Sequence, residues 1–317
     1  MEYEISVILP VYNGEAYLKK AIDSVVSQSF IDFEFIICDD ASGDSSINII
    51  KSFEDDRIQL IQNQMNMGLF ATLNRLVKMA KGKLIKLWSQ DDIMLKNCLE
   101  EIVSFHKKYP TISFSYSDRY IIDENDRIIN ENTINNDTTP EFIGRKLHDK
   151  IAFYIGSIAG SISNVTIKTD KFNEVGYFDE GMKIAADFDM LVKLTENYDI
   201  GRIQKPLVKL RCHRNQLSRT SKYYRLNMKE DRIVFNKLIM RSDAKMVKFG
   251  MYYINWTKGP LYFSFMIEVF RKEKFKETLL FIKEMSNYYN MPVTFMRWCA
   301  LKFFKKEVIK PTFEFYF

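Results

Sequence analysis

Short apolar runs alternate with amphipathic stretches through the first hundred residues. Ile5-Ser6-Val7-Ile8-Leu9-Pro10 reads as a buried strand ended by Pro10. Val11-Tyr12-Asn13-Gly14 reads as a turn. From about Glu15, Leu18, Ile22, Val25 and Val26 fall at i, i+4, i+7 and i+8, one face of a helix. Residues 33–38 form a second apolar run, which ends in Asp39-Asp40-Ala41-Ser42-Gly43-Asp44. A helix over 45–53, a strand over 57–61, a helix over 70–80 and a strand over 84–88 follow the same rhythm. The pattern predicts an α/β fold with a mostly parallel central sheet and helices on both faces.

Further along, residues 112–117 read as a strand and 119–130 as a hairpin with Asp123-Glu124-Asn125-Asp126 at its tip. Residues 130–140 are polar and read as a loop, either plain linker or substrate lid. Residues 155–168 suggest strand and turn, and 172–176 a short helix. Ala185 to Leu194 is an amphipathic helix with acids in its first turn, which suits the helix dipole. Residues 207–213 read as a last strand.

Ligands on such sheets sit outside the carboxyl ends of the strands. Three predicted strand ends carry polar clusters: Tyr12-Asn13, Asp39-Asp40 and Asp91-Asp92. Adjacent carboxylates repel unless something offsets the charge. A solvated turn is one answer. A hard divalent cation, Mg²⁺ or Mn²⁺, shared with substrate phosphates is another. No GxGxxG follows the first strand and no GxxxxGK[ST] occurs, so the dinucleotide and P-loop readings lack their fingerprints.

Residues Ser6 to Gly14 with Asp39-Asp40-Ala41-Ser42 resemble the opening of family 2 glycosyltransferases, inverting enzymes with the A-type nucleotide-diphospho-sugar transferase fold. The resemblance continues through Asn66-Met67-Gly68, Asn74, Ala80-Lys81-Gly82, Asp91-Asp92, Val175-Gly176-Tyr177-Phe178-Asp179, Ala186-Asp187-Phe188-Asp189 and Arg211-Cys212-His213, covering roughly residues 4–220. It implies a donor nucleotide site of Pro10, Val11, Tyr12, Asn13, Asp40, Gly68, Asn74, Asp91, Arg211 and His213, with Asp40 accepting from the base and Arg211 and His213 helping to hold the diphosphate. It implies metal binding by Asp92 and Asp91, chiefly Asp92, with Mn²⁺ or Mg²⁺ bound. Asp187 falls at the general-base position, with Asp189 as runner-up. The pattern departs from the family at Ser89 and Ala186, where acids are frequent. The QxxRW signature of processive synthases is missing, which implies one sugar per visit. His106 and His148 have no motif around them and read as structural or surface residues.

The implied activity is transfer of one sugar from a nucleotide-diphosphate sugar, UDP-linked by expectation, to a glycan or lipid-linked acceptor in surface polysaccharide assembly. Two rivals stand beside it. A sugar nucleotidyltransferase would be expected to carry an Arg- and Lys-rich loop after the first strand, and Tyr12-Asn13-Gly14-Glu15 has no Arg. A non-catalytic sugar-nucleotide-binding or scaffold protein is compatible with Ser89 and Ala186.

Composition adds a second region. The net charge of +5 is uneven: residues 222–317 hold 19 Lys/Arg against 9 Asp/Glu, and 23 of the 45 aromatic residues. A catalytic domain is therefore expected over 1–221 and a mainly helical extension over 222–317. Basic, aromatic helices suit a membrane surface or a dimer contact; no nucleic-acid motif accompanies them. Four scattered cysteines, no basic N-terminal region and no long uncharged apolar run point to the cytoplasm, at the inner face of the membrane.

Overall fold

The computed structural model describes residues 2–132, 139–213, 216, 220–273 and 275–303. Most of the expected loop at 130–140 lies outside them. The chain divides into two compact units, Met1–Arg214 and Asn215–Phe317.

The first unit is built on one ten-stranded sheet. Strands β1 (Tyr3–Val11), β2 (Phe33–Asp39), β3 (Ile58–Gln62) and β4 (Gly82–Leu87) run parallel in the order β3-β2-β1-β4. Helices α1 (Leu18–Val26), α2 (Ser46–Lys51) and α3 (Leu69–Met79) connect them. All seven residues of β2 are buried, as are the last seven of β1. Strands covered on both faces read as continuous apolar runs, which is why they were visible in the sequence.

The second half of the sheet is mixed. Strand β5 (Ile93–Met94) and helix α4 (Cys98–Lys108) precede β6 (Phe114–Ile122) and β7 (Ile128–Asn132), the expected hairpin. Helix α5 (Arg145–Ile155) follows β8 (Phe142–Ile143) in a region with no helical prediction. A 3-10 turn (Ile162–Asn164) leads to β9 (Val165–Lys168), which runs antiparallel between β4 and β6. After α6 (Thr169–Val175) and α7 (Ala186–Asn197), β10 (Ile200–Arg211) pairs parallel with β6 and antiparallel with β5. It begins well before the predicted residue 207; Lys205 and Pro206, at a register shift, hide its first half from a pattern reading.

Register decides where the site lies. Val11 pairs with Asp39, so the ends of β1 and β2 are level. Ile8 pairs with Leu87, and the Trp88 amide still donates to the Ile8 carbonyl at 2.9 Å. The chain beyond β4 therefore leaves the sheet beside Tyr12.

The second unit consists of α8 (Ser221–Met240), α9 (Ala244–Lys272), α10 (Phe275–Ser286) and α11 (Met291–Phe303). Its core is aromatic and Met-rich: Tyr224, Met228, Tyr262, Met266, Phe281 and Met285 are all buried. No helix among the described residues is long and apolar enough to cross a membrane.

Candidate active site

The first two strand ends are laced together. The Asn13 amide donates to Ser42 Oγ at 3.0 Å, and Asn13 Oδ1 accepts from the Gly43 amide at 2.8 Å. The Gly14 and Glu15 amides donate to Ser46 Oγ at 2.8 Å and Asp44 Oδ2 at 3.0 Å. Asn13 and Ala41 hold φ of 50° and 59°. Asn tolerates that region; for Ala41 it costs about 1–2 kcal/mol, and backbone strain of this kind gathers at functional sites. Tyr12 remains 49% exposed, while Pro10 and Val11 are buried.

Asp40 is not an open acceptor. Its Oδ1 accepts from Asn63 Nδ2 at 2.6 Å and the Met67 amide at 2.8 Å, and Oδ2 from the Gly68 amide at 2.9 Å. Gly68 takes φ of 87° there, ahead of α3. Asp40 thus fixes the turn into α3. Its neighbour Asp39, 3% exposed, accepts from the Ser42 amide on Oδ2 and leaves Oδ1 without a hydrogen-bond partner.

The acidic loop after β4 is tied on both sides. Gln90 grips Tyr12 twice: Oε1 accepts from the Tyr12 amide at 2.9 Å and Nε2 donates to its carbonyl at 3.1 Å. Asp91 Oδ2 lies 2.9 Å from His213 Nε2, and Oδ1 accepts from the Ser89 hydroxyl. Burial pushes the Asp91 carboxyl up, but the His213 and Ser89 bonds outweigh it and leave the group below its usual range.

Asp92 behaves oppositely. It is 4% exposed; Oδ1 accepts from the Arg211 amide at 2.8 Å and Oδ2 from Ser163 Oγ at 2.5 Å. Burial, with the Asp91 charge beside it, pushes its carboxyl up to about 8. Lys86, fully enclosed in β4, donates to the Ser163 carbonyl at 2.5 Å, and burial lowers its ammonium to about 8. The sequence reading gives Asp92 the larger part in cation binding. Burial and two occupied oxygens disfavour that, and they leave Asp91, held below its usual range and partly exposed, as the ionised carboxylate of the pair.

Arg211 is also enclosed. Its guanidinium donates to the Asp91 and Asp123 carbonyls, both at 2.8 Å, and to Asp126 at 2.5 Å, and it lies 4.4 Å over the Tyr17 ring. It braces the acidic loop against the β6–β7 turn. Tyr17 packs on His213 as well, with ring centroids 5.2 Å apart.

Asp187 stands in the first turn of α7, where Oδ1 accepts from the Phe188 amide at 2.7 Å. With Leu87, Ser157, Ser161, Ile162 and Phe178 among its neighbours, it lines a small, mainly apolar cavity of about 10 Å³, room for a single water. Ser163, adjoining that lining, carries the hydrogen bond to Asp92. Asn74 is buried; it clasps the Phe178 amide and carbonyl, both at 2.9 Å, and Glu180 at 2.8 Å, holding the turn that leads towards α7. Asp189 is fully buried and ion-paired with Lys193 at 3.2 Å. His106 and His148 are buried structural side chains, His106 paired with Ser115.

The structure thus brings Tyr12, Asn13, Asp39, Asp40, Asp91, Asp92, Arg211 and His213 into one connected edge, with Asp187 on the adjoining pocket. Asn74 lies in the supporting layer. Sequence reasoning passed over Asp39's separate role, Ser163, Gln90 and Lys86. Lys86 had a signal, a lone cation inside the apolar run Leu84–Trp88; Ser163 and Gln90 had none.

No cluster of three His, Cys, Asp or Glu side chains exists among the described residues. Asp91 would be the chief protein ligand of a divalent cation, and Mg²⁺ and Mn²⁺ often complete their shells with water and substrate phosphates.

Known proteins agree with this architecture. The family model for glycosyl transferase family 2 matches residues 6–167. An uncharacterized glycosyltransferase of Methanocaldococcus jannaschii is 31% identical over 225 residues, 69% of this chain and 74% of that protein. The Escherichia coli UDP-Glc:alpha-D-GlcNAc-diphosphoundecaprenol beta-1,3-glucosyltransferase WfgD is 36% identical over 124 residues, 39% of this chain; the match spans 49% of that enzyme. The crystal structure of S. aureus TarS 1–349 in complex with UDP-GlcNAc superposes with a TM-score of 0.67 at 21% identity, covering 90% of this chain and 80% of that one. The chain belongs to glycosyl transferase family 2.

Proposed function

We propose that this chain is an inverting glycosyltransferase that moves one sugar from a UDP-sugar to a hydroxyl of a glycan or lipid-linked acceptor in surface polysaccharide biosynthesis. The observation that carries the reading is the placement of Asp187: an acid at a helix N-terminus, lining a pocket whose rim adjoins the Asp91–Asp92 loop.

Each side chain then has a task. Asp39 Oδ1 accepts from the nucleobase, beside Tyr12, while Asp40, Gly68 and Asn13 hold the loops in shape. Asp91 would hold the cation, which would neutralise charge developing on the departing diphosphate. Asp92, protonated and tied to Ser163 and the Arg211 amide, keeps Asp91 in position. Arg211 braces this loop; His213 is the member of the late basic motif left to approach the phosphates. Asp187 takes the proton of the acceptor hydroxyl, a contribution of about 10²–10⁴-fold. A single displacement needs no second carboxylate as covalent nucleophile, so the anomeric centre inverts.

The relative from Escherichia coli supports a UDP-sugar donor and a carrier-lipid acceptor, since its name states both. A lipid-linked acceptor would bring the chain to the inner face of the membrane, with residues 222–317 as the contact. The test is the anomeric configuration of the product, read by NMR after incubation with UDP-Glc or UDP-GlcNAc, Mn²⁺ and a carrier-lipid acceptor. Inversion is the expected result; retention refutes the mechanism, and donor binding without turnover makes the protein a scaffold.

A further inference from the structure

Helix α10 carries two apolar faces. Thr278, Phe281 and Met285 are buried, the last two in the core of the helical unit. Phe275, Leu279 and Ile282, at i, i+4 and i+7, form a second stripe and are 64%, 50% and 37% exposed. A helix of a water-soluble bundle needs one apolar face, and a second, exposed one marks a contact surface.

The charges beside this stripe are sorted. The two acids of α10 meet cations of α8: Glu277 lies 3.9 Å from Arg225, and Glu284 lies 3.0 Å from Arg225 and 2.5 Å from Lys229. Lys276 and Lys283, on the flank of the apolar stripe, have no acidic partner among the described residues, and neither does Arg271 at the end of α9. Along α10 the face therefore presents apolar side chains flanked on one side by two lysines, with Glu273, bonded to Ser221, as the nearest acid before the helix. A second copy of the same face would set lysine against lysine; an anionic lipid surface matches it in both respects.

We propose that this face of α10 docks on an anionic phospholipid bilayer. Phe275, Leu279 and Ile282 enter the boundary between headgroups and acyl chains, and Lys276 and Lys283 meet lipid phosphates. Twelve helical residues span about 18 Å, short of the roughly 30 Å hydrocarbon core, so the helix lies flat. The inference rests on the proposed carrier-lipid acceptor only for why the chain would be at a membrane.

Co-sedimentation of the full chain with vesicles tests it. Binding to phosphatidylglycerol–phosphatidylcholine vesicles should exceed binding to pure phosphatidylcholine by about tenfold or more. The triple variant Phe275→Ser, Leu279→Ser, Ile282→Ser and the double variant Lys276→Glu, Lys283→Glu should each lose about tenfold. Met240→Ser, at a position 87% exposed outside this face, should bind like wild type. Nucleotide release with a water-soluble acceptor should be the same in every variant, so failed docking and a failed transferase reading are told apart. Equal binding to neutral vesicles, no vesicle binding by wild type, or unchanged binding by the triple variant overturns the proposal. So does a wild-type dimer in gel filtration that the triple variant lacks.

Discussion

Asn substitutions at Asp91 and Asp92 should have unequal effects, although the two acids are adjacent. With burial and the Asp91 charge pushing the Asp92 carboxyl up to about 8, its protonated form predominates at pH 7. An amide can then replace it with little change. Its oxygen keeps the bond from the Arg211 amide, and its NH₂ donates to Ser163 Oγ once that hydroxyl rotates. Asp92→Asn should keep kcat within about threefold of wild type, since neither buried partner is left unpaired. Asp91 is ionised and pairs with His213, so Asp91→Asn removes a charge needed where the diphosphate departs. Loss of one such preorganised group costs about 10²–10³ in kcat, or roughly 3–4 kcal/mol. Initial rates of nucleotide release at pH 7 across a Mn²⁺ titration give the comparison. Equal losses in the two variants, or a larger loss for Asp92→Asn, would refute the assignment of the proton to Asp92.

The same carboxyl predicts a stability profile. Its folded value lies above the unfolded one, so the folded state holds an extra proton between about pH 4 and 8, and stability falls as pH rises through that window. In thermal melts between pH 5 and 7, below the range in which Lys86 titrates, wild type should lose stability relative to Asp92→Asn as pH rises; parallel profiles would contradict this. Asp39→Leu removes the acceptor proposed for the nucleobase and should raise donor KM by about tenfold or more with kcat little changed, measured by steady-state kinetics. Asp118→Asn weakens a buried, bidentate pair with Arg202 at 2.9 Å, leaving that guanidinium undercompensated; urea unfolding should show a loss of about 3 kcal/mol or more.

The sheet was legible because β1, β2 and β4 are buried on both faces and write continuous apolar runs. Helix α5 was not, since its positions between Arg145 and Ile155 follow a polar loop without a cap; Gly144 precedes it with no side-chain hydrogen bond. The acidic strand ends were visible as residue types, but their division of labour was not. Asp39 and Asp40 look alike in sequence and differ only in which backbone amides reach them. Asp91 and Asp92 part company through Ser163, which lies far away in the chain and has no motif. Arg211 reads as a phosphate ligand by its motif, yet its guanidinium is buried by Asp123, Asp126 and Tyr17, residues of two other segments.

Nucleotide release from UDP-sugars in the presence of Mn²⁺ and acceptor, compared between wild type and Asp187→Asn, probes the base directly. Wild-type turnover abolished by a chelator, with a loss of about 10²–10⁴-fold in Asp187→Asn and unchanged donor affinity, is the predicted result. Full activity in Asp187→Asn would show that another group takes the acceptor's proton.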